Sequence, residues 1–176
     1  ETDSNKHYND LVEPLAHETD GATKEIKNAA VYTPLAGTLD SAGSYFSGKG
    51  HKSPIEAWCQ RNFVMLLTDG LPTGNKDGGL YSPAARTDTC SAWTGDSCTG
   101  SWTFGEAATD AFKSVAALRD VKYSDAKCVG CSTFDIQTYV IAMGTAKDNA
   151  RAVAIMNEMA MRGSCKQDDK DSCKNA

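Results

Sequence analysis

An aspartate follows a short apolar segment in a position that suits the binding of a cation. Asp69 comes after Phe-Val-Met-Leu-Leu at 63–67 and Thr68, and Gly70 follows it. So short an apolar run, bounded by turn residues, predicts a strand that is buried on both faces. The carboxylate would then lie where the strand ends, in position for a hard cation or a charged ligand. An Asp-Gly turn without any ligand is the structural alternative.

The cysteines indicate an oxidising compartment. Six of the seven form local pairs in polar, Gly/Ser/Asp-rich stretches, which is typical of disulfides that staple loops. The pairs are Cys90 with Cys98, Cys128 with Cys131, and Cys165 with Cys173. Cys59 is left over, either with a partner outside this sequence or as a buried free thiol. We therefore predict a secreted or periplasmic protein.

The spacing of Cys128 and Cys131 also matches that of a thioredoxin-like redox pair. Such pairs open a helix after a strand, whereas these two cysteines are predicted to follow a helix end and to precede a strand. A structural disulfide is therefore the favoured interpretation, and a redox-responsive module is the alternative.

Residues that could form a catalytic centre are not grouped in this sequence. The three histidines, His7, His17 and His51, show no metal-ligand spacing and no pairing with a nucleophile. No serine lies in a Gly-x-Ser-x-Gly motif. We therefore predict a protein that binds and does not catalyse.

Length and composition narrow the class further. The 176 residues predict one domain over 1–176, with 40% hydrophobic residues, 23% charged residues and a net charge of -5. The absence of a Lys/Arg cluster argues against a nucleic-acid partner. No segment approaches the ~20 apolar residues of a membrane-spanning helix.

The elements that must position Asp69 alternate between helix and strand. They are a strand end at 9–15, a brief helix at 23–30, a helix from Thr33-Pro34 to near Gly48, the strand at 63–67, a helix carrying Phe104 to Leu118, a strand at 134–143 and a helix at 149–162 that Gly163 stops. This order predicts an open, mostly parallel, Rossmann-like α/β sheet with helices on both faces. Asp69 would lie at its carboxyl edge, where such sheets bind ligands.

Three segments carry a family resemblance. They are TPLAGTLDSAGSYF at 33–46, SPIEAWCQRNFVMLLTDGLPTG at 53–74 and YVIAMG at 139–144. Together they resemble the von Willebrand factor A domain. More narrowly, they are similar to the A-type domain near the amino end of PilC/PilY-type adhesins at the tips of type IV pili. The match runs from about Asp10 to Gly163.

The resemblance implies a metal-ion-dependent adhesion site that binds Mg²⁺ or Ca²⁺. In the family an Asp-x-Ser-x-Ser motif on the first strand, a loop threonine and a later aspartate hold the cation. Thr33 and Asp69 match the last two, although Thr33 also suits a plain helix N-cap before Pro34. No Asp-x-Ser-x-Ser occurs in this sequence. We expect the first strand to come from the rest of a longer adhesin chain.

A polar excursion at 70–103 carries Tyr81, Trp93 and Trp102, and a Cys90–Cys98 disulfide is predicted to close part of it. The excursion would leave the sheet at the same edge as Asp69, so the aromatics are candidate ligand contacts. The alternative is that they pack the excursion onto its own domain.

The resemblance implies a location and partners as well. We expect a protein exported through the periplasm to the bacterial cell surface or pilus tip. There it would bind a host or abiotic surface ligand and contact pilin or minor pilin subunits. The competing class is a structural tip or assembly component without metal-dependent binding.

Overall fold

The computed structural model describes residues 8–9, 12–13, 32–50, 52–57, 60–122 and 134–164. The chain divides into two compact units, residues 1–31 and 32–176. In the first unit Asn9 and Val12 are helical and exposed, so the predicted strand end at 9–15 is wrong at these positions. The predicted helix at 23–30 and five cysteines lie outside the described residues; these are Cys59, Cys128, Cys131, Cys165 and Cys173.

The second unit is a mixture of helices and strands. Its elements are α1 (Leu35–Ser47), β1 (Phe63–Thr68), β2 (Thr89–Cys90), β3 (Trp93–Thr94), β4 (Ser97–Cys98), β5 (Trp102–Thr103), α2 (Glu106–Ala117) with a 3₁₀ turn (Leu118–Asp120), β6 (Gln137–Ala142), a 3₁₀ segment (Gly144–Asp148) and α3 (Ala150–Ser164). The three predicted helices that follow Thr33 and the two long strands are therefore confirmed. No helix in the described part of the chain is long and apolar enough to cross a membrane.

Strands β1 and β6 form a parallel pair, in register from Phe63 opposite Gln137 to Thr68 opposite Ala142. Parallel neighbours require a crossover connection, and helix α2 lies between them in the chain. This α/β arrangement agrees with the predicted fold class. Its carboxyl edge is the end at which Thr68 and Ala142 lie.

One face of this pair, the inner face, is covered by helices α1, α2 and α3. Leu66 and Ile136 are buried there, and Val64 and Val140 pack against the same cluster. The helices contribute to this cluster Leu35, Leu39, Ala108, Ala111, Phe112, Val115, Ile155 and Met159. The core of the unit therefore lies between the inner face and the three helices.

The opposite face, the outer face, is uncovered. Its large apolar side chains are 40–65% exposed; they are Phe63, Met65, Leu67, Tyr139 and Ile141. The prediction that strand 63–67 is buried on both faces is therefore wrong. Side chains alternate between the two faces of a strand, and the described helices cover only one of them. The predicted helices on the second face of the sheet are therefore not found among the described residues.

Two glycines were predicted to end helices, and the structure places them differently. Helix α1 ends at Gly48, whose φ of 71° is left-handed, and the Lys49 N–H donates to the Ser44 carbonyl at 3.0 Å. Gly163, predicted to stop the last helix, instead lies inside α3. A Cβ at Gly163 would come within 2.8 Å of the Thr138 Cβ. Glycine is needed there because the helix approaches β6 closely.

Candidate functional site

Three chain segments meet at the carboxyl edge of the β1–β6 pair. Asp69 and Gly70 follow β1, Gly144 follows β6, and Thr33 precedes α1. A Cβ at Gly70 would lie 3.3 Å from the Thr33 hydroxyl, and a Cβ at Gly144 would lie 3.9 Å from the Asp69 Cβ. The structure therefore brings Thr33 and Asp69 to the same edge, as the sequence predicts.

Backbone hydrogen bonds hold Thr33 against the loop that follows β1. The Thr33 N–H donates to the Thr73 hydroxyl at 2.9 Å. The Thr33 carbonyl accepts from the N–H groups of Thr73 at 3.1 Å and Gly74 at 3.2 Å. A Cβ at Gly74 would lie 3.2 Å from the Pro34 Cβ, so a larger residue would push these segments apart. Thr73 and Gly74 thus fix the position of Thr33.

The polar side chains of Thr33 and Asp69 are not used by the fold. Pro34 is the N-cap of α1, without a side-chain capping bond, so the interpretation of Thr33 as the N-cap is wrong. Within the described residues, no hydrogen bond or ion pair engages the Thr33 hydroxyl or the Asp69 carboxylate. By contrast, the buried Thr68 hydroxyl donates to the Gly70 carbonyl at 3.1 Å. A hydroxyl and a carboxylate therefore remain available at the edge.

This pair of groups fits a hard divalent cation but does not complete its coordination. Mg²⁺ and Ca²⁺ prefer oxygen ligands and bind roughly six to eight of them. The described ranges contain no group of three or more His, Cys, Asp or Glu side chains that could hold a metal ion. Thr33 and Asp69 could supply two oxygen ligands, and a complete coordination shell would need further oxygens from water or from other segments.

The excursion at 70–103 contains short strands and a crosslink. β2 pairs with β5 and β3 pairs with β4, and the β3–β4 hairpin turns at Gly95, where φ is 59°. A disulfide joins Cys90 to Cys98 with their Cα atoms 6.0 Å apart, which confirms this pairing. The excursion is therefore a stapled β structure.

The three aromatic candidates of the excursion have different surroundings. Trp93 is 51% exposed, Trp102 is half-buried and Tyr81 is buried. The Tyr81 hydroxyl donates to an Asp110 carboxylate oxygen at 2.9 Å. Burial, followed by this hydrogen bond and the charge of Asp110, raises the pKa of Tyr81 to about 12. Tyr81 therefore packs the excursion onto the domain, while Trp93 stays open to ligands.

A buried carboxylate anchors the base of the excursion. The Asp88 side chain is 2% exposed, and it accepts from the Gly105 N–H at 2.7 Å and from Arg151 Nε at 2.5 Å. Arg151 also donates to the Arg86 carbonyl. Sequence reasoning missed this ion pair because Asp88 and Arg151 are 63 residues apart. No local pattern indicates such a partner.

Comparison of the chain with protein-family models, with curated proteins and with solved structures finds no match. The resemblance to the von Willebrand factor A domain therefore depends on the three sequence segments given above.

Proposed function

We propose that this protein is a non-catalytic adhesion domain associated with type IV pili. It binds a surface or protein ligand through a divalent cation, Mg²⁺ or Ca²⁺, that Thr33 and Asp69 help to hold. The observation that carries the proposal is that a hydroxyl and a carboxylate, neither of which is hydrogen-bonded within the described residues, lie at the same carboxyl edge of a parallel strand pair. A cation bound there keeps coordination positions for water or for a carboxylate of the ligand.

The remaining ligands are proposed to come from the rest of a longer adhesin chain. Within the described residues, β1 and β6 pair only with each other, so each has one edge with unpaired backbone groups. Parallel sheets are normally covered on both faces, whereas the outer face here is open and apolar. These features support a further strand beside β1, bearing the Asp-x-Ser-x-Ser motif, and a further layer on the outer face.

Cation titration tests the site in the longer adhesin chain that includes the proposed first strand. Calorimetry with MgCl₂ and CaCl₂ compares the wild type with Asp69→Asn, which removes the charge, and Thr33→Val, which removes the hydroxyl at similar shape. Asp77→Asn is the matched control, because Asp77 is an exposed aspartate whose carboxylate already pairs with Lys76.

We expect at least ~10-fold weaker binding in Asp69→Asn, a smaller loss in Thr33→Val and no change in the control. Absence of binding by the wild type, or full binding by both site variants, would contradict the proposed cation site.

A second function, that of a structural tip or assembly component, is favoured by the outer face. An apolar surface of this kind can pack against pilin or minor pilin subunits. Piliated bacteria carrying Asp69→Asn separate the two functions. Loss of adhesion to host cells or abiotic surfaces with normal pili supports the adhesion domain, whereas unchanged adhesion supports the structural component.

The proposed location is the bacterial cell surface or pilus tip, reached through the periplasm. The Cys90–Cys98 disulfide supports this location, because structural disulfides persist in oxidising compartments. The redox alternative concerns Cys128 and Cys131, and thiol titration in mild reductant tests it. A redox pair opens under these conditions, whereas a structural bridge resists them.

A further inference from the structure

A row of aromatic rings runs from the core of the domain to its surface. Phe112 is buried and meets Phe104 edge to face, with centroids 5.0 Å apart. Phe104 stacks on Trp102 at 6.1 Å, and Trp102 meets Trp93 edge to face at 5.6 Å. The inner rings therefore fix the orientation of Trp93, the exposed end of the row.

The backbone that carries Trp93 is also fixed. Trp93 pairs with Cys98 across the β3–β4 hairpin, and Cys98 is crosslinked to Cys90. The Thr99 N–H donates to the Ala92 carbonyl at 2.9 Å. A side chain held in this way loses little conformational entropy when a ligand packs on it.

The segment that carries Trp93 is rich in hydroxyl groups and contains no cationic residue. Segment 91–101 contains no Lys or Arg, and its one charged residue is Asp96. Its exposed hydroxyl-bearing residues are Ser91, Thr94, Ser97, Thr99 and Ser101. Within the described residues the Asp96 carboxylate has no ion-pair or hydrogen-bond partner. The segment therefore offers neutral hydrogen-bonding groups and one free carboxylate beside an exposed indole.

We infer that the hairpin around Trp93 binds a neutral sugar ring. The C–H groups on one face of a pyranose pack on the electron-rich face of an indole, and its hydroxyls bond to neighbouring hydroxyl and carboxylate groups. A phosphate or sulfate ligand would need Lys or Arg, which this segment lacks. This site goes beyond the proposed cation site and requires no metal.

Binding of neutral oligosaccharides to the full chain tests the inference, with EDTA present so that the cation site plays no part. An array of neutral, sulfated and sialylated oligosaccharides gives the class of ligand. Titration with N,N′-diacetylchitobiose, cellobiose and lactose follows the Trp93 indole N–H signal by NMR. Trp93→Ala is the test variant and Tyr45→Ala the control, because Tyr45 has the same 51% exposure on helix α1.

We expect at least one neutral oligosaccharide to bind and to shift the Trp93 indole signal. Affinity should fall at least ~10-fold in Trp93→Ala and stay unchanged in Tyr45→Ala. Should Trp93→Ala fail to form its disulfide, Trp93→Phe replaces it, with an expected loss of about threefold. Binding of charged glycans alone, no neutral binding, or binding without a Trp93 shift would each overturn the inference. Since EDTA is present, failure here leaves the cation proposal unaffected.

Discussion

The inner and outer faces of the β1–β6 pair carry similar residues but have different environments. Leu66 points into the core and is 7% exposed, whereas its neighbour Leu67 points outward and is 53% exposed. Both belong to one uninterrupted apolar run, so composition does not distinguish them. An apolar strand thus has two faces that favour burial. Whether each face is buried depends on whether another layer of the structure packs against it.

The largest expected effect comes from this matched pair of leucines. Leu66→Ala should lower the free energy of unfolding by about 2–5 kcal/mol, because it removes buried methyl groups and leaves a cavity. In this chain without the proposed further layer, Leu67→Ala should change it by less than about 0.5 kcal/mol. Urea denaturation of the two variants measures the difference. Equal losses would show that the outer face is covered in solution.

The close approach of α3 to the inner face gives the next effect. Gly163→Ala places a methyl group where the Thr138 Cβ lies within 2.8 Å and the Val115 Cγ2 within 3.1 Å. We expect a loss of about 1–3 kcal/mol from overpacking, although alanine is the better helix former. Asn157→Ala, at an exposed position of α3, is the control and should be neutral or slightly stabilising. A more stable Gly163→Ala protein would disprove the close packing.

The excursion repeats the same contrast, since Tyr81 is 8% exposed and Trp93 is 51% exposed. Burial and Asp110 raise the pKa of Tyr81 from 10.0 to about 12, so the native state keeps a proton that the unfolded state has lost. This contribution to stability is complete below pH 10 and is lost as the pH rises through 12.

Between pH 8 and pH 12 the free energy of unfolding of the wild type should therefore fall by roughly 2 kcal/mol more than that of Tyr81→Phe. Unfolding experiments in urea across this range measure the difference between the two proteins. Parallel curves would indicate that Tyr81 is accessible to solvent.

The smallest effect on stability is expected on the outer face itself. In this chain without the proposed further layer, Met65→Lys should change the free energy of unfolding by less than about 0.5 kcal/mol, because Met65 is 65% exposed. The same change should reduce binding of a hydrophobic dye and self-association, since it places a charge within the apolar surface. As a control, Lys52→Met makes the reverse change, from a charged to an apolar side chain, at an exposed position outside the strands. A marked loss of stability in Met65→Lys would show that a partner or another segment covers this face.

Much of the fold could be predicted from local patterns. The helix that begins after Thr33-Pro34 and ends at Gly48, and the strands at 63–67 and 134–143, follow from apolar periodicity and end signals. The Cys90–Cys98 bridge follows from its polar, closely spaced setting. Two of the wrong predictions depended on packing instead. Whether Gly163 stops the last helix, and whether strand 63–67 is buried on both faces, is set by what packs against these residues.

The candidate site divides in the same way. Local sequence patterns were enough to predict that Asp69 follows an apolar strand and that Thr33 precedes a helix, since both features depend on neighbouring residues. The folded structure was needed to show that Thr33 lies beside the segment that follows β1, that Thr33 does not cap its helix, and that Asp88 pairs with Arg151. It also separated buried Tyr81 from exposed Trp93 within one excursion. The physical reason is that burial and pairing depend on contacts between residues distant in the chain, which local sequence patterns do not contain.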